Sequence, residues 1–435
     1  MTKQSLSWLL ALAIIICLPL SGCYDAKEID EEVYALVIGV DEGVQNKIRL
    51  TFQYATYKEG GGKAQGGGGN GGDEESGEVD GTIVATIEAS SLLEGINLIN
   101  ATVNRQISLM HAKMLVFSEE YAREGVAKYV EPLVRFREVR EFMRIVVCKG
   151  KAEDFIKENR SFIGSNPAKN IELIFEQSKN TGYFPDVFFS DFYQDLLTPY
   201  GQPTAIYAGV NDLTQMASDV GTGEPPLRTE EDYEPGSIPR KGGTKKELSG
   251  TAVFDGDRMV GTLSQRETRF FLMGIGEFKR GFFTLEDPNI PGYIYVLEIR
   301  LAGEPKLKAR FANAIPVIDL ELSLDINIIS IQSRKHYEKL ANIPKLETEV
   351  KLHFEKGLRE TIEKTQTEWN ADIFHFGRKI AGNFGTIEEL EAYNWNRHYQ
   401  EAKVNVKVNT HLRRSGFLFE AAPVHSSTTE GEQKE

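Results

Sequence analysis

Ile318-Asp319-Leu320-Glu321-Leu322-Ser323-Leu324-Asp325-Ile326-Asn327-Ile328 alternates apolar and polar side chains without interruption. Side chains on a strand point to opposite faces in turn, so this stretch makes one dry face and one wet face. Ala402, Val404, Val406, Val408 and Leu412 alternate in the same way with Lys403, Asn405, Lys407, Asn409 and Arg413. Between the two runs a stripe at helical spacing, comprising Leu346, Val350, Phe354, Leu358, Ile362, Trp369, Ile373, Phe376 and Ile380, predicts one long helix. Laid across the dry face, that helix buries both elements. If the strands are neighbours, the helical crossover makes them parallel. Asp319, Glu321 and Asp325 then come near Lys403, Lys407 and Arg413.

Outward from this module the chain reads as α+β, with about three domains. Glu31–Asp41 and Lys47–Tyr57 read as a strand pair turning through Gly43. Residues 60–81 are dominated by glycine, bury nothing and read as a flexible insert. Thr82–Ala89 is a strand. Leu92, Leu93, Ile96, Ile99 and Val103 then space as a helix capped by Ser90 or Ser91. Lys113–Ser118 is a strand, Glu119–Arg135 a helix and Met143–Cys148 a strand, an alternation typical of layered α/β structure. Residues 167–200 are helical and rich in aromatics, forming a packing surface or a partner-facing patch. Thr204–Val210 is a strand, 221–243 is a second exposed insert rich in Gly, Pro and acid, and Asp255-Gly256-Asp257 turns a hairpin. The expected division is therefore 23–200, a middle unit 201–287, a helix-on-sheet unit 288–415 and a polar tail 416–435.

The start of the chain addresses it to a membrane. Lys3 is followed by Leu9–Leu20, an apolar run too short to span a bilayer comfortably, and then by Ser21-Gly22-Cys23. Leu20-Ser21-Gly22-Cys23 is a bacterial lipobox, so residues 1–22 read as a lipoprotein signal peptide. Cys23 is the expected lipidation site, as S-diacylglyceryl cysteine that can also be N-acylated. One acyl chain binds a bilayer only marginally, whereas two or three anchor it stably. The formal charge is −14, and −15 after loss of Lys3, the one charged residue before Cys23. Such a surface does not seek nucleic acid or anionic headgroups overall. Cys17 leaves with the signal and Cys23 is consumed by lipid, so Cys148, inside Ile145–Cys148, has no disulfide partner and reads as a buried small hydrophobe. An exported chain without a disulfide fits a Gram-positive exterior.

The sequence offers no recognisable catalytic, metal or cofactor motif. His-Glu-x-x-His, Cys-x-x-Cys, calcium loops, Gly-x-Ser-x-Gly and strand-borne Gly-x-Gly-x-x-Gly are all absent. The carboxylate clusters Asp30–Glu32 and Glu230–Asp232 read as solvated faces, and His375 as a packed or surface helix residue.

Several stretches together resemble the Ger(x)C family, the lipoprotein C subunits of nutrient germinant receptors in spore-forming bacteria. They are Gly22–Ile29, Val37–Asp41, His111–Phe117, Gly250–Phe254 with Met259–Leu263, and Trp369–Gly377 with the later Trp395. The order is kept over nearly the whole mature chain. Tyr24 stands where the family usually has tryptophan, and both inserts look longer than typical. The resemblance implies a non-enzymatic mixed α/β lipoprotein, held by lipid on Cys23 to the outer face of the spore inner membrane. It would serve as assembly partner of integral-membrane A-type and B-type receptor subunits. A solute-binding lipoprotein of a transporter is the alternative if two matching lobes flank a cleft. A lipid-anchored hydrolase is the other, and requires a nucleophile or metal set.

Overall fold

The computed structural model describes Trp8 and residues 31–55, 78–79, 81–160, 166–214, 227–229, 232–287, 289–333 and 335–414. Cys23, nearly all of the insert 60–81, residues 221–226, 230 and 231 of the insert 221–243 and the tail 416–435 lie outside the described residues.

Among the described residues fifteen strands form two sheets. The first contains β1 (Glu32–Glu42), β2 (Ile48–Ala55), β3 (Glu78–Val79), β4 (Thr82–Ala89), β5 (Gln106–Ser108), β6 (Met114–Ser118), β7 (Arg144–Cys148), β8 (Thr204–Val210), β9 (Lys246–Asp255) and β10 (Arg258–Leu263). Its order is β10-β9-β8-β7-β6-β1-β2-β4-β3, with β5 beside the start of β1. β1, β6, β7 and β8 run parallel in the middle, and antiparallel pairs flank them. Helices cover the middle on both faces, so β1 and β7 are buried almost throughout, as their continuous apolar runs require. These helices are α1 (Leu92–Asn100), α2 (Glu119–Glu124), α3 (Ala127–Arg135), α4 (Ala152–Lys157), α5 (Pro167–Phe175), α6 (Ser178–Thr181) and α7 (Phe189–Leu197). The expected single helix Glu119–Arg135 is two, broken at Gly125, whose φ of +121° leaves the helical region. The α1 cap forms as expected, with the Ser91 hydroxyl accepting from the Glu94 N–H.

The stretch 201–287 contributes to both bodies. β8 and the β9–β10 hairpin extend the first sheet, whereas α8 (Gln265–Ile275) and β11 (Arg280–Glu286) pack into the second core. The physical reason is burial: Ile206 and Ala208 face one core layer while Ala205 and Tyr207 face the other, so β8 must lie inside a sheet. Phe283 and Leu285 on β11 bury only against the second core.

The second sheet adds β12 (Ile294–Leu301), β13 (Lys306–Ala312), β14 (Ile315–Ile331) and β15 (Lys403–Arg414). β14 is central, with β12 and β13 antiparallel along it and β15 parallel. Ile318, Leu320, Leu322, Leu324, Ile326 and Ile328 are all buried beneath α9 (Ile343–Lys364), which sends Leu346, Val350, Phe354, Leu358 and Ile362 into the same core. Each such side chain contributes about 1.5–3 kcal/mol. On the wet face Glu321 meets Lys407 at 2.8 Å and Asp325 meets Arg413 at 2.7 Å. Asp319 instead takes Asn405 and Arg310, because the register places Asn405 opposite it and Lys403 opposite Val317. The α+β class and the helix-on-sheet module are as the alternation indicates.

The predicted helix does not run to Ile380. It ends at Lys364, widens into one π turn over Thr365–Trp369 and is stopped by Asn370 at φ +51°. Phe376 and Ile380 belong to a separate short helix, α10 (Phe376–Ile380), followed by α11 (Ile387–Tyr393) and α12 (Trp395–His398). His375, expected within a helix, precedes α10 at φ +55°.

The outer edge of β15 is sealed by its own crossover helix. Glu355 accepts from the Val408 N–H at 3.0 Å and Glu347 from the Leu412 N–H at 2.7 Å. Open strand edges template association between chains. A double E347A/E355A variant is expected to lose about 1–2 kcal/mol and to self-associate with rising concentration, as read by sedimentation velocity. A sedimentation profile unchanged from the parent would contradict this role.

Candidate functional site

The stretch Trp369–Gly377 forms the joint between the two sheets. Asn370 can take its left-handed conformation because its side chain is locally bonded, donating to the Asn396 carbonyl and accepting from the Gln400 N–H. The sharp turn drives Asp372 inward, where it is fully buried. One carboxylate oxygen accepts from the Phe376 N–H at 3.1 Å; the other accepts from the Gly377 N–H and Trp395 Nε1, both at 2.7 Å. Burial pushes its pKa up to about 6, against the pull of these three donors.

Across the joint, the Asp372 carbonyl accepts from the Gln202 N–H, and Gln202 Oε1 from the Gly256 N–H in the β9–β10 turn. The Trp369 ring lies where a Gly261 side chain would stand, only 2.2 Å from a Cβ placed there. Lys364 donates to the Thr262 carbonyl on β10 and pairs with Glu267 of α8 at 2.8 Å. His375 lies 3.7 Å from Asp195 of α7, against Gly201. Burial, then Arg378, lowers the His375 pKa, so the imidazole is neutral near pH 7.

Asp195 is pushed up to about 7 by burial and then by Asp191, Asp372 and Glu277. A carboxyl whose folded pKa exceeds its ordinary value near 4 stabilises the fold fully below pH 4. That contribution is lost as the pH rises through the folded value. Asp195→Asn is therefore expected to leave stability at pH 4 unchanged and to raise it by about 1–2 kcal/mol at pH 8, a discounted figure because the side chain stays 22% exposed. Chemical unfolding across pH 4–8 checks it; equal slopes in variant and parent would contradict the assignment.

A buried carboxylate that accepts from three protein donors is committed to holding the joint together. Two surface depressions lie elsewhere on the described surface. The larger, about 580 Å³, lies at the carboxyl ends of β1, β6 and β7. Its Asp41 accepts from the N–H groups of Ala152 and Glu153, Arg123 is bound to Glu119, and Arg49 to Glu88 and Glu153. In the smaller, about 390 Å³, Arg269 donates to the Thr181 and Phe282 carbonyls and Arg266 faces Asp232. Arg49, Arg123 and Arg266 are thus held by carboxylates, and Asp41 and Arg269 by backbone groups. Among the described residues no three His, Cys, Asp or Glu side chains could hold a metal ion. Among the same residues no helix is long and apolar enough to cross a membrane. Cys148 is buried and its thiol pKa is raised, chiefly by burial. Four of the eight aromatics of 167–200, Phe175, Phe184, Phe189 and Phe192, are core, and Tyr183, Phe188, Tyr193 and Tyr200 are half-buried.

Residues 25–210 match the family described as spore germination protein N-terminal domain, and residues 249–416 match spore germination B3/GerAC like, C-terminal. The chain belongs to the Ger(x)C family of spore germination proteins. Spore germination protein GerQC of Bacillus cereus is 21% identical, over 94% of this chain and 98% of its own. Spore germination protein KC of Bacillus subtilis (strain 168) is 23% identical, over 96% and 97% respectively. The crystal structure of the GerBC protein matches with a TM-score of 0.50 and 15% identity, covering 86% of this chain and 96% of that one. That likeness carries the fold. The joint Trp369–Trp395 and its Gly261 counterpart fall inside the C-terminal Ger(x)C match.

The sequence pointed to this Trp369–Gly377 stretch and to Trp395, but not to Asp372 as their common acceptor. Asn370 and Asn394, both at positive φ, were the available signals, since asparagine commonly closes a helix in this conformation.

Proposed function

We propose that this Ger(x)C protein is a non-enzymatic, lipid-anchored subunit of a nutrient germinant receptor. Cys23 carries the lipid and holds the chain on the outer face of the spore inner membrane. There it is the scaffold on which integral-membrane A-type and B-type subunits assemble or become competent to signal. The observation that carries this reading is the match to both Ger(x)C parts, in order, along a chain with a lipobox at its start. The saturated Asp372, and depressions whose Asp41, Arg49, Arg123 and Arg269 are already held by protein groups, support a structural role over the solute-binding and hydrolase alternatives.

Cys23→Ala is expected to block lipidation and lipoprotein processing, and to abolish stable retention with the membrane and nutrient-triggered germination. Membrane fractionation and germination assays of the variant spores check it. Normal retention and germination would refute the anchor. Calorimetric titration of the domain with germinants is expected to be silent; saturable micromolar binding would promote the solute-binding reading.

A further inference from the structure

Because β1, β6, β7 and β8 are parallel, their amino ends gather at one end of the first sheet. Arg144, opening β7, is level with Met114 on β6, which is level with Val37 on β1. From there β1 continues back to Glu32 beside β5. The segment 136–143 leads into β7 at this end and is held near the exit of β5, where the Leu109 N–H donates to Glu138 at 3.3 Å.

Residues 24–31 join Cys23 to β1, and a fully extended connection of that length reaches about 28 Å. Lipid on Cys23 therefore holds Glu32 within about 28 Å of the anchor. The β1–β2 turn, with Val44 79% exposed, is at the far end of β1.

Arg135-Phe136-Arg137-Glu138-Val139-Arg140-Glu141-Phe142-Met143-Arg144 carries four arginines against two glutamates in an acidic chain; within 136–143 the charges balance, with Glu138 turned to the Leu109 N–H and Glu141 exposed. Phe136, Val139 and Met143 pack inward on the core. Arg135 is paired with Glu131 and Arg144 with Asp186. Arg137 and Arg140 are exposed with no ion-pair partner among the described residues, and Phe142 beside them is 70% exposed. An aromatic ring suits the boundary between headgroup and acyl layers, and guanidinium groups suit phosphate oxygens.

We propose that segment 136–143 is a membrane-contact face, with Phe142 entering the interface and Arg137 and Arg140 engaging anionic phospholipid headgroups. It rests on the lipid anchor at Cys23. The body is then oriented with the amino ends of its parallel strands toward the bilayer, despite its overall negative charge.

The test uses the full chain made in a lipidating host, with peptide mass reporting lipid on Cys23, placed in phosphatidylglycerol-containing nanodiscs. Spin labels go on F142C or V44C; Cys148 is buried and stays unlabelled. The label at 142 is expected to be roughly tenfold less accessible than that at 44 to a water-soluble nickel chelate, and more accessible to oxygen. The contrast should collapse in R137E/R140E and in discs of phosphatidylcholine alone. Equal aqueous access at both positions with Cys23 lipidated overturns the docking face and leaves the anchor standing. An unmodified Cys23 overturns the anchor itself. Protection at 142 that arises only when integral-membrane subunits are added assigns the face to a protein partner and overturns the proposal.

Discussion

Asp372→Ala is expected to destabilise the fold by about 3–5 kcal/mol, the largest loss from any single polar side chain in the joint. The substitution leaves the N–H groups of Phe376, Gly377 and Trp395 buried with no acceptor. None can turn to water, because the Asp372 site is closed and Trp395 is itself fully buried. Asp372→Asn retains one acceptor oxygen but turns an amide NH2 toward at least one of the same donors, so it rescues only part of the loss. The pH dependence gives a second reading. With its pKa raised to about 6, Asp372 stabilises most below pH 4, and this component declines as the pH rises through 6. That component should vanish in both variants. Urea unfolding followed by tryptophan fluorescence measures both effects; a loss under about 1 kcal/mol would show that the three donors find other partners.

Gly261→Val is expected to cost about 1–3 kcal/mol, although valine suits a strand better than glycine does. The backbone at Gly261 is not at positive φ, so the expected loss is one of packing between bodies. A side chain there meets the Trp369 ring, with atoms 2.2 and 2.4 Å from its Cβ. Trp369 must swing away, withdrawing the ring that Lys364 approaches at 5.2 Å. Beyond Trp8 the tryptophans of the chain are Trp369 and Trp395. The variant should therefore show a red-shifted Trp369 while the far-ultraviolet circular dichroism is unchanged. Stability equal to the parent would mean that the sheets are not locked through this contact.

The second sheet was legible because its elements obey simple periods. β14 alternates over its buried length, β15 repeats the pattern, and α9 carries a stripe to Ile362. Strand polarity and two of three wet-face pairs followed from that alone. The end of the helix was not legible from periodicity, since Trp369, Ile373, Phe376 and Ile380 continue the spacing while lying on a π turn, a loop and a separate helix. Those residues are apolar because they fill the same core from irregular backbone. The share of 201–287 between two bodies was equally hidden, because a hairpin signal at Asp255–Asp257 states that two strands pair, not which sheet they extend. Asp372 was invisible for a further reason. One acidic residue in an aromatic stretch has no pattern, and its role appears only when Trp395, from a later helix, is folded back onto it.

Purification of the tagged, full-length protein from dormant-spore membranes, with mass spectrometry of all partners and of the Cys23 peptide, tests the central claim most directly. The expected result is a diacylglyceryl-modified Cys23 on a chain that brings A-type and B-type integral-membrane subunits with it, and loss of those subunits from the membrane of a deletion strain. Recovery of the chain alone, unmodified and with the membrane subunits unaffected by its deletion, would contradict it.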